Sequence, residues 1–541
     1  MVSSVTYTIF NPLEEYKNKF KKIYEDNVNS FFNELVSKSN VDIELNRKTL
    51  NKQKDILNLL NSLKSKLSMM KFLRVVMIII FILLPFVFWK INPKIKSINL
   101  EIEKCDKKII DLYNESVNQM KPLNDLFTDF DSLHLVEKSI PNITYNSYFS
   151  FSNENNMKKN YDYIDEYNNE ETVLDIISGG YNNNPFIYEK KLVHTMGSQV
   201  YHGHKTIYWT EYYYDSHGNR HSRSRSQTLH AALEKPKPFY DTVTTLTYCA
   251  QAGDNLSFSR NAKHYEKKDS KEIERIVRKG ERNLKKLTDE AIKKNSDFMA
   301  MANTTFEVLF EAFDRNDEIQ FRTLFSPLAQ TNMVELIRSN DYFGDDFKFI
   351  KNKRTNIIIS EHSQNKILAP KIKDYHSNSY DVIKENFIKK NMAFFENMYF
   401  DLAPLLAIPI LQEESSKLLE LENKSGRLYS HKEYESLASR LDFIKVFNLN
   451  AKTPIIYKAK YLNTSNQVDN ICISAYAYDI IPNIDYVTMY GGDGNLHSVP
   501  VPWDEYILVN DSKVLSVCNI DNNTVKEKDI EVYNNNLCIF K

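Results

Sequence analysis

Seven of the twelve histidines fall between His194 and His264. His202 and His204 lie two residues apart, a spacing that puts both on one face of a strand. Two imidazoles on one face are half of a metal site, and a third ligand could come from His194, His217, His221, His230 or Asp215. A zinc-bound water held there would support metal-dependent hydrolysis. The spacing matches no established zinc signature, and a polar strand face in a Tyr/His-rich sheet accounts for the same residues. No cofactor is therefore predicted, and His202 and His204 stand only as the metal candidates should one bind.

Other chemistry-like stretches are weaker. RSRS at Arg223 to Ser226 resembles an RNA-binding repeat, but it is four residues long and lies in a predicted strand. The formal net charge of -1 gives no pull toward nucleic acid, which is not an expected partner. YGGDGN at Tyr490 to Asn495 lacks the helix start and the Lys-Ser/Thr of a phosphate loop, so it reads as a turn. GDD at Gly344 to Asp346 has no second acidic motif to place beside it. Gly-x-Ser-x-Gly and His-Glu-x-x-His are absent. No catalytic residue can be assigned, and a non-enzymatic role is the expectation.

The elements that must position these residues begin with an apolar run, Val75 to Trp89, inside the stretch Phe72 to Ile91. As one helix, 20 residues would rise about 30 Å, roughly a hydrocarbon core. Phe72, Val75, Ile80, Pro85 and Trp89 then mark a transmembrane helix, with Trp89 at an interface and Pro85 as a tolerated kink. A single pass is the first expectation. A hairpin dipping into one leaflet, with both flanks on one side, is the second, and a buried core helix the third. Lysines flank both ends, and the positive-inside rule places the C-terminal bulk in the cytoplasm of a cell-membrane protein. Against that orientation, a long charged N-terminal segment would have to cross.

Heptad seams lie on either side. Ile56, Leu60, Leu63, Leu67 and Met70 form one; Ile95, Ile98, Ile102, Cys105, Ile109 and Leu112 form the other. They could pack on the protein's own domain or associate chains into a homo-oligomer. Asn92-Pro93 should break the helix between run and second seam. The organisation expected is a helical segment over 1–71, the span over 72–91, a second coiled coil over 94–135 and an irregular linker over 136–184. A β-rich domain over 185–262, a mainly helical region over 263–448 and a C-terminal β-containing region over 449–541 follow. Gly218-Asn219 signals a hairpin turn that would set Tyr212 and Tyr214 opposite Arg225 and Arg223, and Pro236 and Pro238 should end that β run. Thr355 to Ser360 reads as a strand, and Phe400 to Leu411 as buried core. Asp269 and Glu272 open a long helix expected over 269–315. Five widely spaced cysteines make neither a disulfide framework nor a zinc pattern.

Three stretches carry a resemblance: NPF at Asn184 to Phe186 with TLHAALEKPKPFY at Thr228 to Tyr240, LSFSR at Leu256 to Arg260, and FEVLFEAFDRNDEIQFRTLFSPLAQTNM at Phe306 to Met333. Together they resemble an uncharacterised membrane-protein family of mycoplasmas and related wall-less bacteria. The resemblance implies a single plasma membrane and an AT-rich genome, and it brings no activity or functional residue with it. The high Asn and Lys content and only 12 glycines, about 2% against a usual ~7%, fit that composition.

The fold class expected is thus an α+β membrane protein with long N-terminal helices around one transmembrane helix. Its expected role is a membrane-anchored scaffold or interaction protein, with the lipid bilayer and other membrane proteins as partners. The alternatives are a metal-dependent hydrolase and an accessory subunit of a transport or secretion complex.

Overall fold

The computed structural model describes residues 7–80, 86–165, 168–294, 299–415, 427–441, 447, 449–465, 468–518, 532–533 and 536–540. They divide into two compact units. One comprises 11–143 with 369–400, and the other 1–10, 144–368 and 401–541.

The first unit is helical. Asn11 caps its opening turn by accepting from the Glu14 N–H at 3.1 Å, with Pro12 at the first helical position. Helix Lys21–Ser39 ends at Asn40, which takes the left-handed conformation that asparagine tolerates. Its buried face, including Tyr24 and Phe32, packs on aromatics of the stretch from Tyr380 to Phe400; Tyr24 stacks on Phe395 with centroids 4.0 Å apart.

Two long helices follow, Ile43–Ile80 and Phe86–Asn124. They run antiparallel. Thr49 accepts from Gln119 at 3.0 Å, and further along Ile56 shares a groove with Lys108 and Leu112. Leu60, Leu63 and Cys105 are buried between them, flanked by Ile56, Ile98, Ile102 and Ile109. The seams therefore pack on each other within the chain, and an association between chains would have to use other surfaces. Leu67 is half-buried.

This arrangement corrects the transmembrane expectation. Phe72, Val75 and Ile80 belong to the first helix, and Trp89 lies in the first turn of the second. Pro85 falls outside the described residues. Among the described residues no helix is long and apolar enough to cross a membrane. The physical reason lies in the seams: the two described helices pair antiparallel through them, so the run is shared between Ile43–Ile80 and Phe86–Asn124 and neither described helix holds all of it. Pro93 is also accommodated, lying inside the second helix. An interior proline costs ~3 kcal/mol, and the helix continues through it with Ile95 buried and Ile98 and Ile102 packed on the seam.

The second unit is α+β. Seven strands form one sheet in the order β1-β2-β3-β4-β7-β6-β5: β1 is Ile143–Tyr145, β2 Glu171–Tyr181, β3 Asn184–Tyr214, β4 Arg220–Cys249, β5 Ser257–Arg260, β6 Phe347–Asn352 and β7 Thr355–Ser360. The segment 136–184 is thus not irregular: it holds helix Phe151–Tyr161 as well as β1 and β2. Asn182 and Asn183, both at positive φ, make the two-residue turn joining β2 to β3. A second sheet has the order β11-β12-β10-β9-β8, with β8 Ile456–Ser465, β9 Val468–Tyr490, β10 Leu496–Cys518, β11 Val532–Tyr533 and β12 Asn536–Phe540. Pro236 and Pro238 do not end the β run. In that stretch β4 pairs only with β3, so the prolines' missing N–H groups face an open edge.

Helix Ser270–Lys294 opens where expected, with Asp269 accepting from the Glu272 N–H at 2.7 Å. It stops well before 315, because helices Thr304–Phe310 and Glu318–Leu324 break away under their own caps, Asn303 and Asp317. Phe306, Phe310, Phe321 and Phe325 gather around Phe258 and Phe349, and Arg315 beside them is paired with Glu307 at 2.5 Å. Two of the three stretches that carry the resemblance, Leu256 to Arg260 and Phe306 to Met333, thus contribute to a core. Leu402, Ala403, Leu405 and Leu411 are buried, as the pattern at 400–411 implied.

Candidate functional site

From His194 onward, β3 pairs with β4 alone. The 21 residues from there to Tyr214 make a ribbon of roughly 70 Å. Such a ribbon alone would be marginal. Here the hairpin of β9 and β10 lies against one of its faces. Ile207, Leu229, Ala231, Val499 and Val501 are buried between them, with Tyr201, Trp209 and Leu233 at the margin. The N–H of Gly492 donates to Gln227 at 2.6 Å, Lys205 to the Ser498 carbonyl at 3.2 Å, and Lys235 pairs with Asp485 at 2.6 Å. The result is a two-layered arm.

Strand alternation sends the other residues to the outer face. On β3 these are Val200, His202, His204, Thr206, Tyr208, Thr210, Tyr212 and Tyr214, all exposed. Tyr208 is 75% and Tyr214 69% exposed, which decides that they belong to no core. Opposite them on β4 stand Arg220, Ser222, Ser224, Ser226, Thr228 and His230. The face carries hydroxyls, imidazoles and an arginine, and from Val200 to Ala232 no carboxylate.

The register differs from the sequence expectation. The turn spans Asp215 to Asn219, where Asp215 accepts from the N–H groups of His217 and Asn219 and Gly218 takes φ 82. Tyr212 therefore faces Ser222 and Tyr214 faces Arg220. That is an odd shift of three residues, so it moves Arg223 and Arg225 to the opposite face, where Arg225 pairs with Glu211 at 2.8 Å. Arg220 instead lies over the Tyr212 ring at 4.0 Å.

The predicted histidine cluster is brought together only in part. His204 stands directly across from His230, and His202 shares their face. His217 and His221 attend Asp215 at the turn. His194 is buried, with Nδ1 2.5 Å from Glu170 and its ring against Tyr240 and Tyr478. Among the described residues the grouping with metal-like spacing is a different one, Glu154, Asp165 and His431.

That grouping belongs to a buried ionic network that sequence spacing could not reveal, since its members come from four separated segments. Lys158 contacts Glu154 at 2.5 Å and Asp165 at 3.4 Å, and Lys432 contacts Asp165 at 3.3 Å and Glu189 at 2.9 Å. Lys191 completes Glu189 at 3.2 Å. Burial alone would raise the Glu189 carboxyl, but Lys432 and Lys191 overcome it and hold its pKa at about 2. Burial would likewise depress Lys432, yet Glu189, Tyr163 and Asp165 keep it well above the ordinary lysine range. A divalent cation would have to displace two ammonium groups already in place. The network ties helix Phe151–Tyr161, β3 and helix His431–Ser439 together, which is structural work.

GDD has a structural role as well. Asp345 forms a wholly buried pair with Arg260, and Asp346 binds His362 at 2.7 Å. No family model, curated protein or solved structure matches the chain. The resemblance to the wall-less-bacterial family rests on its motifs alone.

Proposed function

We propose that the chain is a non-enzymatic interaction protein that works at the cell-membrane surface and presents the outer face of its arm to an acidic protein surface. The observation that carries this reading is that face: a Tyr-rich stripe, carboxylate-free from Val200 to Ala232, on a ribbon whose other face is packed on β9 and β10 around Ile207, Leu229 and Ala231. Tyrosine and arginine dominate binding hot spots because they bring large, stiff contact area with a polar end. The serine and threonine hydroxyls opposite add hydrogen-bonding capacity, and the acid-free composition favours a partner rich in Asp and Glu. The arrangement of His202, His204 and His230 lends less to a hydrolase, because among the described residues these imidazoles do not converge at metal-ligand spacing and Glu234, on the same face, already accepts a hydrogen bond from Ser198.

A photo-crosslinking residue at Tyr208 or Tyr212 in the living cell tests this. Discrete crosslinked partners are expected, and they should vanish when Arg220 is changed to Glu. Ile319, 79% exposed on the same unit, is the control position. A crosslinking pattern at Tyr208 no different from that at Ile319 would count decisively against the arm as an interface.

A further inference from the structure

The helical hairpin of the first unit has an unusual charge distribution. Between Asp55 and Glu101 the sequence contains no acidic residue, while Lys64, Lys66, Lys71, Arg74, Lys90, Lys94 and Lys96 all fall there. In a single helix these cations would lie on both sides of the apolar run. The antiparallel pairing brings both sets to the same end. At the hairpin's other end Asp106, Asp111 and Glu115 restore a mixed surface.

The same basic end is apolar without being packed. Leu60 and Leu63 are buried in the seam, but a turn or more beyond them Met69 is 57%, Phe72 67%, Leu73 41% and Val75 52% exposed. The sequence from Val75 to Trp89 continues without a polar side chain. An exposed apolar cluster of this kind, ringed by cations, is the pattern of a segment that enters the boundary between headgroups and acyl chains.

We infer that the far end of the hairpin docks on a lipid surface carrying anionic headgroups, with Phe72, Leu73 and Val75 entering the acyl boundary and Lys64, Lys66, Lys71 and Arg74 meeting the headgroups. The contact is one-sided: both helices leave on the face they entered. This deepens the membrane-surface reading above and rests on it, but it is independent of the arm. Each cation near such a surface strengthens binding roughly fivefold, and the apolar residues supply the part that salt does not screen.

Flotation of the full chain with vesicles is the test. The protein should float with phosphatidylcholine vesicles containing about one third phosphatidylglycerol, and poorly with phosphatidylcholine alone. Lys64→Ala with Lys66→Ala, both exposed, should weaken binding about 25-fold at two cations. Phe72→Asp should abolish it, with helicity by circular dichroism checking that the hairpin persists. Should Phe72→Asp unfold the hairpin, the lysine pair still decides. Absence of flotation, or equal flotation with neutral lipid, overturns the inference. So does a tip-mediated dimer that Phe72→Asp dissociates without any lipid binding. Crosslinks at Tyr208 without flotation would overturn this inference and leave the arm interface standing.

Discussion

Gly203 lies beneath the carbonyl of Pro500, where a side-chain carbon would overlap the Pro500 oxygen and press on the Val501 backbone. Both obstacles are main-chain atoms, which cannot rotate away. This contact sets how closely the two hairpins of the arm approach. Gly203→Val should therefore push them apart, at roughly 1–3 kcal/mol of overpacking cost. Hydrogen exchange should accelerate at Ile207, Leu229, Val499 and Val501, and stay unchanged in β6 and β7. Unaltered protection in the arm would mean that the hairpins do not stack.

The seam makes a second prediction. Leu60 and Leu63 are each 6% exposed, whereas Leu57 and Leu59 on the same helix are 44% and 52% exposed. Leu60→Ala and Leu63→Ala should each cost ~2–5 kcal/mol, toward the lower end because the cluster is narrow. The exposed pair, changed the same way, should cost little. Chemical unfolding followed by helical circular dichroism compares them, and equal effects at all four positions would rule out the antiparallel pairing.

That pairing shows what was legible in the sequence and what was not. The seven-residue periodicity identified the seam residues, since helical spacing is local. The partner of each seam is a long-range property. Even so, a signal was present: Ile56 and Ile109, Leu60 and Cys105, Leu63 and Ile102 each sum to 165, so they lie equally far from a point between residues 82 and 83. A mirror of that kind fits a hairpin and gives a single continuous span no reason to show it. The apolar run drew the span reading because hydropathy counts residues and not direction.

The sheet was similarly divided. Thr355–Ser360 and the Gly491–Asn495 turn followed from composition, because β-branched residues and glycines act locally. The Asn182-Asn183 turn was missed because asparagine reaches positive φ less obviously than glycine does. The arm's outer face was misassigned because its register depends on Asp215 bonding two backbone N–H groups, which extends the turn to five residues. The network around Glu154 and Glu189 had local spacing only within the pairs Glu154–Lys158 and Glu189–Lys191; what joins these pairs to Asp165, His431 and Lys432 is long-range.

The Arg260–Asp345 pair should be costly to break. Both side chains are fully buried, and Arg260 also lies between Phe310 and Phe347, 5.5 and 4.4 Å from their ring centres. Asp345→Ala leaves the guanidinium charge without its partner, an expected loss of about 3–5 kcal/mol. The double change Arg260→Met/Asp345→Leu removes both charges and should recover much of that. Urea unfolding compares the variants; a double change as damaging as Asp345→Ala would show that the pair acts through shape and not charge.

The ionic network predicts an acid limit to the stability of its unit. Glu189 has a folded pKa of about 2 against an ordinary 4.5, because the attraction of Lys432 and Lys191 exceeds the penalty of burial. A depressed carboxyl contributes stability that is fully present above about 4.5 and disappears as pH falls from there toward 2. The difference corresponds to about 3 kcal/mol. Lys432 works in the opposite sense: its raised pKa contributes below 10.5 and is lost only in stronger base. Glu189→Gln should therefore destabilise the unit at pH 6 and flatten its stability between pH 4.5 and 2.5. Unfolding curves at pH 6, 4 and 3 measure both effects. A Glu189→Gln variant that keeps the full acid dependence would place the titration in another carboxylate, of which Glu154, also held low by His431 and Lys158 against its burial, is the next to change.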